Sequence, residues 1–313
     1  MKILITGAAG FIASHVADAY LAAGHEVVIV DNLSTGYRHN LNPKAKFYEL
    51  DICDSRLNEV FEAEKPELVN HHAAQISVPL SVQNPLLDAE INIKGLINVL
   101  ECAKNHGSKK IIYISSGGAI YGEAEEYPTT ENYLPKPLSV YAINKKAGED
   151  YLYYYRELFG LDYTVLRYAN VFGPRQVSHG EAGVVSIFVE KLLAGLAPFL
   201  NAYPEAPEGM IRDYVFVRDV VSANLLAISK GSGNAFNIGS GSETTTRMLY
   251  DEICRQLGVD IQPIPAPHRP GDLRRSLLNS DKAKRILGWQ PQYTLAQGIS
   301  EVIEYFRDKK EKQ

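Results

Sequence analysis

Cysteine is scarce. Only Cys53, Cys102 and Cys254 occur in 313 residues, an odd number without close pairing. A disulfide framework is therefore excluded, a reducing compartment fits better, and Cys102, within a helical pattern, reads as core. CxxC spacing is missing too. His15, His25, His39, His71, His106, His179 and His268 show no ligand spacing, so they read as surface or packing residues and no metal is expected. There is no basic excess: 32 Lys and Arg stand against 37 Asp and Glu, a net charge of −5, which gives a nucleic-acid partner no electrostatic support. No apolar run approaches the ~18 residues of a membrane span, and the opening MKILITG reads as a strand rather than a leader. A soluble cytoplasmic protein is the expectation.

What is present is apolar residues in quantity, 45% of the chain, enough for one large domain or two modest ones. Runs rich in Val and Ile at 2–6, 26–31, 46–51, 68–72, 110–115 and 163–167 read as strands buried on both faces. Helical patterns at 11–23, 86–106 and 140–159 lie between them. Such alternation predicts an α/β protein with a doubly wound, mostly parallel sheet, its ligands at the carboxyl ends of the strands. After Tyr168-Ala169-Asn170 turn residues and proline become frequent, including the loop NAYPEAPEG at 201–209. A nucleotide-binding domain is placed at 1–170 and 213–240, and a smaller C-terminal α/β substrate domain at 171–212 and 241–313.

Gly7-Ala8-Ala9-Gly10-Phe11-Ile12-Ala13 follows a strand and opens a helix, the setting a dinucleotide-binding turn needs. Gly7 permits the tight turn, and Gly10 lets the backbone approach a pyrophosphate at the positive helix end. Ala13 stands where a third glycine is usual. Asp31 ends the second strand, where a carboxylate can accept both ribose hydroxyls and repel a 2′-phosphate. It is followed by Asn32, Leu33, Ser34 and Gly36 with no arginine directly after it, so NAD is favoured over NADP.

Tyr141 and Lys145 lie four residues apart on a helical pattern, hence on one face. An ammonium near a phenol favours the phenolate, so a lowered tyrosine pKa is expected, suited to proton exchange at a sugar hydroxyl.

Taken together, TGAAGFIASH, VDNLSTG, HHAAQ, NIKG, SSGGAIYG, YAINK, LRYANVFGPRQ, IRDYVFVRDV, FNIGSG and RPGD resemble, in order and over nearly the whole chain, the extended short-chain dehydrogenase/reductase family, specifically its UDP-glucose (UDP-galactose) 4-epimerase branch. The resemblance implies a Rossmann-type fold, tightly held NAD, a UDP-hexose substrate and a homodimer, with helices 86–106 and 140–159 pairing in a four-helix bundle. It implies that Asp51 and Ile52 flank the adenine, that His72, Ala73 and Ala74 form the turn under the pyrophosphate, and that Asn92, Ser115 and Tyr168 complete the cofactor pocket. On the substrate side it implies Asn170, Val184 and Val185 at the diphosphate, Phe199 at the uracil, Arg212 and Arg269 at the phosphates and Asp272 at the ribose. Forked guanidinium donors suit phosphate oxygens, although Arg212 also has Asp213 beside it as a possible strand partner.

Two departures from the family pattern stand out. The Ser or Thr expected four residues before Tyr121 is Gly117, so Ser116, next Ser115, or a water in the space the glycine leaves must supply the hydroxyl that bonds the reacting group. Ser276, small, occupies the position that in the family gates the 2-substituent of the hexose, which implies that N-acetylhexosamine nucleotides are accepted as well. No carboxylate occurs in Gly117-Gly118-Ala119-Ile120, which disfavours the dehydration that sibling enzymes perform. The resulting expectation is interconversion of UDP-glucose and UDP-galactose through a 4-keto sugar, with Tyr141, Lys145 and Ser116 as catalytic residues. A UDP-glucuronate 4-epimerase and a non-catalytic NAD or nucleotide-sugar sensor are the alternatives.

Overall fold

In a computed structural model the described residues are 1–177, 183–269 and 272–311, so His179, Pro270 and Gly271 lie outside them. In chain order, β1 (Lys2–Thr6), α1 (Phe11–Ala22), β2 (Glu26–Asp31), β3 (Lys46–Glu49), α2 (Leu57–Glu64) and β4 (Leu68–His71) come first. Then α3 (Val78–Gln83), α4 (Pro85–Ala89), a π-helical segment Glu90–Gly95 and α5 (Leu96–Asn105) lead to β5 (Lys110–Ser116). Helices α6 (Gly117–Ile120) and α7 (Val140–Phe159) precede β6 (Asp162–Tyr168) and β7 (Asn170–Phe172). The chain continues through α8 (Val184–Leu193), β8 (Phe199–Ala202), β9 (Ile211–Phe216), α9 (Val217–Ala227), β10 (Asn234–Ile238) and β11 (Glu243–Thr245). It ends with α10 (Thr246–Leu257), β12 (Ile264–Pro267), β13 (Arg275–Ser276), α11 (Asp281–Leu287) and α12 (Leu295–Glu311).

Seven strands form one parallel sheet in the order β10-β6-β5-β4-β1-β2-β3. Successive strand residues point to opposite faces, and both faces are apolar. Ile3, Ile5 and Ile29 pack with Val16, Tyr20, Val220 and Trp289 on one side, while Leu4, Val28 and Val30 pack with Phe61, Leu100 and Leu152 on the other. Strand order reverses between β1 and β4, which opens a crevice at their carboxyl ends. A second sheet joins β11, β9 and β13, with β7 also on β9, over a core of Phe172, Phe188, Phe216, Tyr250 and Phe306. The boundary expected at 213 falls inside β9.

The expected helix at 86–106 is one uninterrupted helical run from Pro85 to Asn105, widened to π-helical turns at Glu90–Gly95. Asn84 caps α4, with Pro85 at its first position, and the wide turn of Glu90–Gly95 joins it to α5. The expected strands at 46–51 and 68–72 stop earlier, at Glu49 and His71. Among the described residues no helix is long and apolar enough to cross a membrane.

Candidate active site

The crevice begins at the glycine turn. Gly7 has φ +75°, and a Cβ on it would stand 2.7 Å from the Ala73 nitrogen, so only glycine lets β1 end against the His72–Ala74 turn. Thr6 fixes that turn: its hydroxyl accepts from the Ala73 N–H at 3.1 Å, and its carbonyl accepts from His72 N–H at 3.2 Å. Gly10 caps α1 without a side-chain bond, so the N–H groups of Phe11 and Ile12 open the helix toward the crevice. Gly36 approaches Ala9 so closely that a Cβ would meet the Ala9 Cβ at 2.6 Å, which folds the segment after β2 back on the turn.

Asp31 is 8% exposed and accepts from Ala9 N–H at 2.9 Å and Leu33 N–H at 2.8 Å. Burial pushes its carboxyl above the usual range, and those two donors oppose the shift. Beside it Asn32 donates to Asp51 at 2.7 Å, bringing Asn32, Leu33 and Ser34 to the ends of β2 and β3 next to buried Ile52. The next arginine, Arg38, is paired with Glu49. A bare helix N-terminus, a glycine cradle and a carboxylate with no free cation directly after it suit a dinucleotide lacking a 2′-phosphate.

Asn92 sits in the π-helical segment with its amide turned inward. Its Oδ1 accepts from Gln75 N–H at 3.0 Å, and its Nδ2 donates to the Gln75 carbonyl and to Asp88, each at 3.0 Å. The side chain therefore braces the loop after β4. Ser115 is likewise engaged within the fold, donating to Glu149 at 2.6 Å, and Glu149 in turn pairs with Arg167 at 2.5 Å. Tyr168 is buried and accepts from Asn224 at 2.6 Å.

The reactive pair stands on the first turns of α7. Ser139 caps the helix through Ala142 N–H, and Ser81 of α3 accepts from Tyr141 N–H at 3.1 Å, so the position of Tyr141 is fixed from two sides. Lys145 is 3% exposed; its Nζ donates to the Ile114 carbonyl at 3.1 Å and lies 5.9 Å from the centre of the Tyr141 ring. The expected acidic phenol is not observed. Burial pushes Tyr141 up to about 12, a hydrogen bond with Ser116 pulls it back in part, and the Asp88 charge adds to the rise. Burial also brings Lys145 down to about 8, against the opposing field of Asp88. Ser116 thus acts on the phenol, whereas Ser115 is turned to Glu149. The space beside Gly117 is taken by Leu278, whose Cδ1 would lie 2.5 Å from a Cβ there.

On the far side, Asn170, Val184 and Val185 line one cavity of about 40 Å³ with Gln176 and Tyr214. Gly183, at φ 89°, starts α8 with no side-chain cap, leaving a second bare helix N-terminus. Arg212 lies in register with Ser276 and Thr244 across three strands. Its neighbour Asp213 is not its partner, since that carboxylate accepts from Ser240, Gly241 and Leu278 on the other face of β9. Phe199, 54% exposed, stands on the β8–β12 ribbon with Lys191 Nζ 5.0 Å above its ring. The same ribbon leads to Arg269, whose N–H donates to Asp272 at 3.1 Å.

Residues 3–239 match the model of the NAD-dependent epimerase/dehydratase family. The UDP-glucose 4-epimerase of Mycolicibacterium smegmatis is 46% identical over 315 residues, 99% of each chain. The chain belongs to the NAD-dependent epimerase/dehydratase family. Two solved structures agree in fold across nearly the full length. That of UDP-glucose 4-epimerase from Thermotoga maritima with UDP-glucose has a TM-score of 0.96 at 47% identity, covering 99% of each chain. That of Thermus thermophilus UDP-glucose 4-epimerase with NAD has a TM-score of 0.94 at 42% identity, covering 98% of this chain and 99% of the other.

In this member of the epimerase/dehydratase family one site residue escaped sequence reasoning. Asp88 is fully buried, accepts from Gln75 at 2.6 Å, Asn92 at 3.0 Å and Asn144 at 2.7 Å, and its field reaches both Tyr141 and Lys145. A single aspartate in a helical pattern gives no signal of burial; only its three amide partners, 4 to 56 positions away in sequence, do so. Among the described residues no group of three or more His, Cys, Asp or Glu could hold a metal.

Proposed function

We propose that the protein is an NAD-dependent UDP-glucose 4-epimerase, interconverting UDP-glucose and UDP-galactose through a 4-keto sugar. The observation that carries this reading is the buried Tyr141 phenol, one helical turn from Lys145, at the carboxyl end of the parallel sheet. NAD, held at the Gly7–Gly10 turn and Asp31, would supply a reversible hydride acceptor at C4 of the sugar. Tyr141 removes the proton from the 4-hydroxyl and later gives it back; Ser116 orients that exchange. Lys145 supplies the positive charge that favours the phenolate, which burial alone disfavours.

The cofactor contacts are assigned to Gly7, Gly10, Phe11, Ile12, Asp31 through Ser34, Gly36, Asp51, Ile52 and the 72–74 turn. Asn92 and Ser115 act from behind as braces. The nucleotide sugar is assigned to Asn170, Val184, Val185, Phe199, Arg212, Arg269, Asp272 and Ser276. The domain division at 1–170 with 213–240, against 171–212 with 241–313, is kept as a functional partition. A homodimer is proposed through α7, whose outer face exposes Ile143, Tyr153, Leu158 and Phe159. Leu158→Arg is expected to give monomers in sedimentation. Three free thiols accord with a cytoplasmic location.

The deciding experiment is to denature purified protein, measure released NAD, and assay UDP-galactose conversion without added cofactor. Tyr141→Phe should keep ligand binding and abolish turnover. A wild-type protein that binds NAD and UDP-sugar yet turns nothing over is a sensor, and the epimerase reading is then wrong.

A further inference from the structure

A buried ammonium needs partners. Lys145 Nζ donates to the Ile114 carbonyl, and Asp88 acts on it through its field while its own oxygens bond Gln75, Asn92 and Asn144. The charge also stands over a ring: Nζ lies 5.2 Å from the centre of Tyr113, which is fully enclosed between β5 and α7. A cation at that distance is attracted to the ring face, more strongly where water is excluded.

Helix α7 is shaped to admit this ring. Gly148 lies inside the helix, three residues beyond Lys145 and so on the same face, and it is not at positive φ. Its backbone does not call for glycine, and glycine weakens a helix interior relative to alanine. A Cβ on it would stand 2.7 Å from Tyr113 Cζ and closer still to the Tyr113 hydroxyl oxygen, so the missing methyl is the room in which the ring lies. From the other side, β4 and β5 hold His71 and Tyr113 in register, with their rings 14° from parallel and 6.0 Å apart. Nδ1 of His71 is 2.9 Å from the Thr6 hydroxyl that fixes the 72–74 turn.

We propose that Tyr113 is a positioning residue for Lys145, its ring, admitted to α7 by Gly148, holding the ammonium one helical turn from Tyr141. What that ammonium does for the reaction rests on the epimerase reading above. The titratable groups facing Lys145 are Tyr141 on its own helix, Tyr113 on β5, His71 and His72 at the end of β4, and Asp88 on α4. Glu149, one turn further along α7, is paired with Arg167. Burial and the Lys145 charge both push the two imidazoles down, so they stay neutral beside it. Without the ring the charged form loses a partner, and Lys145 should release its proton at lower pH.

The test follows the Lys145 titration in the NAD-loaded protein by isotope-edited NMR of lysine Cε, the signal assigned with Lys145→Arg, beside the alkaline limb of kcat on UDP-galactose. In Tyr113→Leu both should move down by about one pH unit, and in Tyr113→Phe, which keeps the ring, both should stay within about 0.3 unit of wild type. Movement in neither variant, even with a lowered Tm, makes Tyr113 a packing residue and overturns the proposal; equal movement in both assigns the effect to the hydroxyl and overturns it too. If Tyr113→Leu does not fold, Gly148→Ala decides: its methyl displaces the ring, so the titration should again move down, and an unmoved titration overturns the proposal. Wild type without turnover removes the epimerase reading, and the NMR titrations still judge this one.

Discussion

Leu278 Cδ1 lies 2.5 Å from where the side chain of residue 117 would begin, so Gly117 and Leu278 share one volume. Restoring a hydroxyl at Gly117 requires Leu278 to shift. Ser116, which acts on the Tyr141 phenol, is the hydroxyl proposed for this task.

Ser116→Ala is therefore expected to lower kcat by about 10²-fold, the effect of removing one oriented donor at a reacting oxygen. Ser115→Ala should leave kcat nearly unchanged and cost about 1 kcal/mol of stability, since it removes a neutral donor from buried Glu149. Gly117→Ser should destabilise by about 1–3 kcal/mol through overpacking against Leu278. Steady-state rates and urea unfolding of the three variants decide this; a larger kcat loss in Ser115→Ala would reverse the assignment.

Lys145 titrates near 8 because burial disfavours its charge. The ammonium is present below that pH and lost above it, so kcat should fall as pH rises through about 8. The linked stability term has the opposite sense. Between about 8 and the ordinary 10.5 the unfolded chain binds the proton that the folded chain has lost, so this residue's contribution to stability rises with pH in that window. Lys145→Arg, which stays charged, should remove the alkaline fall in kcat, whatever its absolute rate. An unchanged limb in that variant would assign the titration to another group.

Glu149 and Arg167 form an ion pair with side chains 7% and 8% exposed, extended by Tyr121, which accepts from Arg167 at 2.7 Å. Burial opposes the Arg167 charge and Glu149 more than compensates. Removing one partner strands the other, so Arg167→Met should cost about 3–5 kcal/mol, whereas the double change Arg167→Met with Glu149→Leu should recover a large part. Urea midpoints at constant m-value measure both.

The legible part of this protein is local. Val and Ile runs mark strands because parallel strands are buried on both faces, and the Gly7–Gly10 turn and the Tyr141–Lys145 spacing are set by backbone geometry within a few residues. What stayed hidden depends on partners distant in sequence. The π-helical stretch within helix 86–106 accompanies Asn92 turning inward to Gln75 and Asp88, the different surroundings of Ser115 and Ser116 follow from the two faces of β5, and the raised Tyr141 pKa follows from how tightly neighbouring elements close over it. Spacing announces the lysine's charge but not the burial that outweighs it.

Asp88 allows a last prediction of this kind. Every partner of its carboxylate is an amide that donates: Gln75 after β4, Asn92 in the π-helical segment and Asn144 on α7. An asparagine there would turn one N–H against another and also remove the negative field that raises the Lys145 pKa. Asp88→Asn should accordingly cost about 1–3 kcal/mol for the unmet buried donors and loosen the loop beneath the cofactor. Without the charge, Lys145 loses its proton at a lower pH, so the alkaline fall in kcat should move downward from about 8. Asn144→Ser keeps the charge and removes one donor; it should lower the unfolding midpoint without moving that limb. If both variants shift stability alone and the pH profile of each matches wild type, Asp88 is a brace with no electrostatic part in the reaction.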